Sequence, residues 1–365
     1  MASTTGRWRE ASIRRERGAG FVLVSVLWIL VIMTMAAGAF SLWVERTREL
    51  AEQKHVEVEA RYRGASAIAQ VTYTYMVGQQ GVEGVSWPSG QSSTSSGGSS
   101  VSFSSLDDFL SGAIPTVQQT TAAGVLSLDG RVLDVGGGMR MMVRDRAGLV
   151  GLSFLNSPRV FDILADEVAG VDAAQLQSAL IDYQDKDDYR MRNGVERGQY
   201  RLAGMAPPFN GYLRNPLQLR SVWGWREALQ NYSDAWLLQT FKVEGGGGIN
   251  ANTASASALT LTAPKGVSIE PILEQRRLEP YKSIFRLRDM GLGQGEEIPF
   301  TIMPASGFRL WWWHDGDPIA QVYDVQFRTL SPGKLARYIN WTIRVALPNE
   351  LAKATATKVD HPFFR

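Results

Sequence analysis

Four carboxylates fall within seven residues: Asp182, Asp185, Asp187 and Asp188. Glu196 follows eleven residues after Asp185, with Asn193 just before it. Carboxylates crowded together repel one another unless a cation sits among them. Ca²⁺ suits such a set, since it accepts roughly six to eight oxygen ligands in flexible geometry. Asp185, Asp187 and Glu196 match positions 1, 3 and 12 of an EF-hand loop. The match then fails, because Tyr189 stands at position 5 and Arg190 at position 6, where that loop needs glycine for its turn. Two readings stay open on chemistry alone. One is a calcium site of another geometry; the other is a solvated acidic helix end neutralised by Arg190, Arg192 and Arg197. A third reading, a catalytic carboxylate pair, requires two acids facing a substrate cleft, and nothing in the sequence shows one.

Other site chemistries are excluded or weak. The 365 residues contain no cysteine, so disulfides, thiolate zinc sites and cysteine nucleophiles are absent. His55, His314 and His361 are too scattered for a metal pair or a Ser/His/Asp arrangement. The glycine-rich stretch from Gly245 to Thr253 lacks the Gly-Lys-Ser/Thr of a phosphate loop, so Asn252 or Thr253 reads as a helix cap. The residues from Ile249 to Met290 resemble helix-hairpin-helix DNA-binding repeats, with Ala263-Pro264-Lys265-Gly266-Val267 as the hairpin. The charge balance, 38 basic against 36 acidic side chains, argues against a nucleic-acid partner, and no enzyme activity is expected. Trp311-Trp312-Trp313 alternates faces on a strand, so at least one indole is expected to point outward, the alternative being packing against the stalk helix.

The elements that carry this loop begin with a membrane signal. Residues 1–20 hold five arginines against two glutamates, and Phe21 to Val44 follows as 24 residues without a charge. As a helix that run spans about 36 Å, enough for a hydrocarbon core of about 30 Å. Basic residues before it and Glu45 after it predict a single span with the N-terminus inside and the remainder outside. The run is longer than the apolar core of an ordinary cleaved signal. From Glu45 to about Met76 there is no proline, and Glu57/Arg61 and Glu59/Arg63 are favourable i,i+4 pairs. The helix is therefore expected to continue into water as a stalk, for a total length of about 85 Å.

The soluble part changes character twice. Residues 86–105 hold eleven serines in twenty positions and read as a loop. Val125–Leu128, Arg131–Val135, Met139–Asp145 and Leu149–Leu152 are strand-like and turn-separated, predicting an antiparallel meander. Helical spacing begins after Ser157-Pro158 and lasts to about Met290. Strands return at Phe308–Trp313, Ile319–Thr329 and Ala336–Val345. The expected fold is α+β: a long N-terminal transmembrane and stalk helix, then an antiparallel sheet with a large all-α domain inserted between its strands. The expected divisions are a leader at 1–20, membrane helix 21–44, stalk 45–78, first sheet part 79–154, helical insert 155–300, and second sheet part with tail 301–365.

Two sets of residues carry a family resemblance. Arg17 to Ser25 (Arg-Gly-Ala-Gly-Phe-Val-Leu-Val-Ser) resembles the processing region of type IV pilin-like proteins. Further landmarks follow in order: Gly151 to Asn156 before the first helix, the loop Asp182 to Tyr200, Ile249-Asn250-Ala251-Asn252-Thr253-Ala254, Arg276-Arg277, and Pro280-Tyr281-Lys282-Ser283. Together they are similar to the minor pseudopilin K family of type II secretion systems. The resemblance implies a pilin-like sheet and cleavage by prepilin peptidase after Gly20, with Gly18 as an alternative, leaving Phe21 at the mature N-terminus. Ser25 then stands fifth, where most pilins carry glutamate, as suits a tip subunit. The resemblance also implies a pseudopilus tip shared with pseudopilins I and J, a role in protein secretion, and bound calcium. Its ligands by motif position are Asp185, Asp187, Asp188 and Glu196, with Asp182 and Asn193 as further candidates. Tyr183 stands where tryptophan is more usual.

Overall fold

The computed structural model describes residues 19–86, 124–153, 155, 157–245, 247–293, 299–331 and 334–359. Residues 1–18 with Gly18, the serine-rich stretch beyond Ser86, and Asn156 lie outside them. The chain divides into two compact units, Met1–Arg63 and Gly64–Arg365.

The first unit carries most of helix α1 (Ala19–Val77, 59 residues). Its apolar stretch is long and hydrophobic enough to cross a membrane. Val22, Leu27, Trp28, Ile32, Phe40 and Trp43 all present exposed side chains. Thr34 donates to the Val31 carbonyl and Thr47 to that of Trp43, so these hydroxyls are satisfied within the helix. Beyond the apolar run, Arg61–Glu57 and Arg63–Glu59 pair as the spacing predicts, joined by Arg48–Glu52 and Lys54–Glu57. Each such exposed pair contributes only a few tenths of a kcal/mol, roughly, to helix stability.

In the second unit the last turns of α1 lie on a sheet. Gly64, Ala67, Ile68, Val71 and Tyr75 recur at helical spacing and are buried. Gly64 permits the close approach: a Cβ there would come within 3.1 Å of the Tyr323 hydroxyl. Tyr75 donates to the Ala305 carbonyl and stacks on Phe327 at 5.0 Å. After α1 come β1 (Gln79–Gly81), β2 (Gly84–Ser86) and β3 (Val125–Leu126), a small sheet of their own. The main sheet has six strands in the order β12-β11-β10-β5-β4-β13. These are β4 (Asp129–Asp134), β5 (Met139–Asp145), β10 (Gly307–His314), β11 (Ile319–Ser331), β12 (Lys334–Ala346) and β13 (Thr357–Lys358). All neighbours are antiparallel except β13 beside β4. The two strand groups separated in sequence meet at β5 and β10, with Val143 opposite Leu310.

Between β5 and β10 lies the helical block: α2 (Pro158–Asp166), α3 (Ala173–Gln184), α4 (Arg197–Leu202), α5 (Trp225–Ala228), α6 (Asp234–Thr240), α7 (Ala256–Thr262), α8 (Glu270–Leu278) and α9 (Ile284–Asp289). α10 (Asn349–Ala352) lies beyond β12. The block is not purely helical. β6 (Val150–Gly151) pairs in parallel with β7 (Phe241–Lys242), and β8 (Ile249–Asn250) with β9 (Phe300–Thr301). Hence the expected meander is broken at both ends, β3 joining the small sheet and β6 leaving for β7. The cause of the second break is the 3₁₀ turn Arg146–Gly148, capped by Asp145 through the Ala147 N–H at 2.9 Å.

Asp145 is fully buried. Its Oδ1 accepts from Ala147 N and Ala305 N, both at 2.9 Å, and its Oδ2 from Asn250 Nδ2 at 2.9 Å and Thr253 Oγ1 at 3.0 Å. Asn252 holds Tyr281 at both backbone groups, through its Oδ1 at 2.8 Å and its Nδ2 at 2.9 Å. The Ile249–Ala254 landmark therefore ties the helical block to the sheet through Asp145, and Asn252 fastens Tyr281 to that landmark.

All three tryptophans of Trp311–Trp313 are buried, which corrects the expectation of an outward indole. Both sheet faces are covered. Trp312 lies with Met141, Leu310 and Val325 on the face under Ala67, Ile68 and Val71 of α1. Trp311 and Trp313 lie with Met142 and Val322 on the other, under Ala235 and Leu238 of α6. Arg309 reinforces that second contact. It ion-pairs with Asp324 at 2.6 Å, donates to the carbonyls of Leu238 and Phe241, and rests over the Trp341 ring at 4.6 Å.

Asp145→Ala would strand its buried donors, and each loss costs about 1–3 kcal/mol. Chemical denaturation of the full chain in detergent is expected to show destabilisation of at least about 3 kcal/mol, and less for Asp145→Asn.

Candidate metal centre

The acidic loop runs between two helices. Asp182 lies in the last turn of α3, Asp185 caps that helix, and Glu196 is the N-cap residue of α4. Their carboxylate oxygens lie within 4.8 Å of one another. Asp182 is fully buried and Glu196 nearly so. The fold brings these three together from fifteen residues of sequence because α3 ends at Asp185 and the chain doubles back through Met191–Gly194, closed by Gly194 N to Met191 O at 3.0 Å. Gly194 is required for closeness: a Cβ there would stand 1.9 Å from Asp182 Oδ2. Asp182 also accepts from Met191 N at 3.2 Å. Behind the loop, Tyr183 and Tyr200 are buried in the helical core, and Trp223 N donates to the Tyr200 hydroxyl at 2.8 Å.

The remaining sequence candidates sit differently. Asp187, Asp188 and Asn193 are exposed, and Asp187 and Asp188 fall outside the three-acid cluster. Asp187 accepts from Tyr189 N at 2.9 Å. Asp188 takes Asn210 Nδ2 at 3.0 Å and a long ion pair from Arg197 at 3.8 Å. Asn210 escaped sequence reasoning. It adopts φ +52°, it also holds the Asp187 carbonyl, and its own Oδ1 is buried without a partner. The Asn210-Gly211 dipeptide, a left-handed turn signal, was the available clue. Gly20, Phe21 and Ser25 all lie on α1.

The cluster is electrostatically unfavourable as it stands. Among the described residues no lysine or arginine forms an ion pair with Asp182, Asp185 or Glu196, although the Arg190 charge acts on Asp182 from farther off and Arg197 pairs with Asp188. Asp182 and Asp185 sit at the negative end of the α3 dipole. Asp185 Oδ1 and both Glu196 oxygens are buried without a well-formed hydrogen bond. Desolvation, then the Asp182 charge, pushes the Glu196 carboxyl up to about 7. Desolvation raises Asp182 and Asp185 as well, with neighbouring carboxylates adding to it. The unpartnered oxygens of Asp185 and Glu196, beside the buried Asp182 carboxylate, form a donor set that fits a hard divalent cation. An apolar hollow of about 340 Å³, lined by Leu152, Leu155 and Leu180, opens beside Asp185.

These shifts set a pH dependence for the protein in chelator. Glu196 titrates near 4.5 when unfolded and near 7 when folded. Across that window the folded state holds a proton that the unfolded state has lost, so stability falls as pH rises. Melting temperature in chelator is expected to drop between about pH 5 and 7.5, and Glu196→Gln to flatten part of that drop.

No protein-family profile matches the chain, and no curated protein sequence matches it. Among solved structures it is similar to a chain of the GspK-GspI-GspJ complex from the enterotoxigenic Escherichia coli type 2 secretion system, at 14% identity and a TM-score of 0.35, covering 59% of this chain and 82% of that one.

Proposed function

We propose that the chain is a structural minor pseudopilin of a type II secretion system, anchored in the inner membrane with its globular part in the periplasm. The observation that carries this reading is the construction of α1. One unbroken helix is apolar and uncharged from Phe21 to Val44, charged and self-paired through the next turns, and packed on an antiparallel sheet from Gly64 to Tyr75. Exposed valine, leucine and tryptophan on all sides of the first stretch need lipid or like helices around them. Ser25 in place of a carboxylate avoids burying an acid in the bilayer, which favours a subunit with no amine to pair ahead of it, at a pseudopilus tip. Prepilin peptidase cleavage after Gly20 and association with pseudopilins I and J complete the reading. The Asp182, Asp185 and Glu196 cluster holds Ca²⁺, with Asp187, Asp188 and Asn193 as outer candidates.

The assembly claim is tested by deleting Phe21–Val44. The head is expected to keep its circular dichroism while the chain disappears from cross-linked pseudopilus complexes. A deletion variant that still assembled would sink the model. Mass spectrometry of the mature chain is expected to find Phe21 at the N-terminus.

The calcium claim is tested by thermal melts of the full chain with calcium and with chelator. Binding at 100 times Kd stabilises by about 2.7 kcal/mol, several degrees for a domain of this size. Asp182→Asn and Glu196→Gln are expected to lose the calcium shift while melting no lower than the parent in chelator, because each removes an uncompensated charge. Calcium that leaves the parent's midpoint unchanged would remove the ligand assignment.

A further inference from the structure

A second charged feature lies away from the acidic loop, in a cleft of about 600 Å³ bordered by β3, the start of β4, and α8. Arg131, Arg276 and Arg277 line it, facing Asp129 and Glu83. Two of these arginines are answered locally. Arg131 grips Asp129 at 2.7 Å, and Arg277 pairs with Glu274 at 2.9 Å. Arg276 has no carboxylate partner among the described residues. Its Nη1 donates to the carbonyls of Ala251 at 3.0 Å and Ala254 at 2.6 Å, and its Nε and Nη2 make no hydrogen bond to any described residue.

A further guanidinium stands behind the cleft wall. Arg144 is buried against Gly130, where a Cβ would fall 2.1 Å from its Nη2. Arg144 Nη1 donates to the Thr253 carbonyl at 2.8 Å, but its Nε is buried without a partner. Burial, and then the charge of Arg276, pushes Arg144 down to about 10, with Asp129 and Asp145 only partly opposing them. Three guanidiniums thus line the cleft, with Arg144 buried behind it, and the Nε–Nη2 edge of Arg276 is the fork left open. That fork suits bidentate capture of an oxyanion. The volume exceeds what a lone phosphate fills, and Val82, Val125, Leu273 and Pro280 supply apolar wall. An anion carrying an apolar body fits both halves of the lining.

We propose that this cleft binds an acidic side chain of a peptide segment, its carboxylate on the Nε and Nη2 of Arg276 and its neighbouring apolar atoms against Val125 and Leu273. The site requires only the folded head, so it stands apart from the assembly role proposed above.

The test uses the full chain in detergent and isothermal calorimetry. The probes are an end-capped hexapeptide with one aspartate between apolar residues, the same peptide with asparagine, and inorganic phosphate. The aspartate peptide is expected to bind at least tenfold more tightly than either of the others. Arg276→Lys keeps the charge but removes the fork, and is expected to weaken binding several-fold. Ala256→Glu, at an exposed helix position lining the cleft, places a competing carboxylate there and is expected to weaken binding at least tenfold without altering circular dichroism. Equal affinity for the aspartate and asparagine peptides would overturn the proposal. So would undiminished binding by the Ala256→Glu protein, or absence of binding at millimolar peptide. Phosphate binding as tight as the aspartate peptide would reassign the cleft to a free oxyanion and overturn the peptide.

Discussion

The Asp145 carboxylate ends β5, and its four hydrogen bonds gather both margins of the helical block. Ala147 starts the turn that leads the chain away from the sheet. Asn250 and Thr253 belong to the segment before α7, and Ala305 to the segment that returns to β10. A buried carboxylate without these donors would cost several kcal/mol, roughly, so each donor segment must be in place for the others to be stable. Burial nonetheless raises the carboxyl above its ordinary range, the desolvation outweighing the hydrogen bonds that oppose it. An insertion of some 160 residues can therefore interrupt a sheet without loosening the β5–β10 pairing.

The second constraint is that the central strands β5 and β10 are buried on both faces. An antiparallel sheet with one helix on it ordinarily leaves a polar face to water. Here β10 reads Phe-Arg-Leu-Trp-Trp-Trp, apolar on both sides apart from Arg309. The helical block supplies the missing cover through α6, and Arg309 is held there by Asp324 and two α6-end carbonyls. Cutting the block away would expose Trp311 and Trp313 and leave the Arg309–Asp324 pair half-solvated. The insert is thus part of the sheet's own stability, whatever else it carries.

How far this was legible in the sequence follows from the range of each signal. The helix from the apolar run to Val77 was readable because its cues are local: no proline, no charge, then i,i+4 pairs. The strands Met139–Asp145, Phe308–Trp313 and Ile319–Thr329 were readable from alternation and turn residues, and the reunion of the separated groups in one sheet followed from their order. The two-residue parallel ladders and β13 were not readable, since such short pairings are chosen by tertiary contacts and not by pattern. The outward tryptophan was misjudged for the same reason: alternation says that Trp311 and Trp312 face opposite ways, but not that both ways are covered. At the acidic loop, composition singled out the right stretch, yet spacing alone could not tell Asp182 and Glu196, which are buried together, from Asp187 and Asp188, which face solvent. That distinction depends on where α3 ends and on Gly194 lying against Asp182.

The placement of the three acids also explains why a cation would matter to folding beyond the site itself. Asp182 and Asp185 end one helix, and Glu196 begins the next. Closing that short loop brings three desolvated carboxylates to one point, against their mutual repulsion and against the α3 dipole. Without a cation the closure is sustained by Gly194, by the Met191 amide and by Tyr200 beneath, and part of its cost appears as the raised Glu196 carboxyl. A divalent ion there would reverse the sign of the local electrostatics and act as a cross-link between α3 and α4. In a chain with no cysteine, that is the kind of covalent-like staple that disulfides provide elsewhere. Such an ion would link the loop to the packing of Tyr183 and Tyr200 in the helical core, and through that core to the cover on the second sheet face.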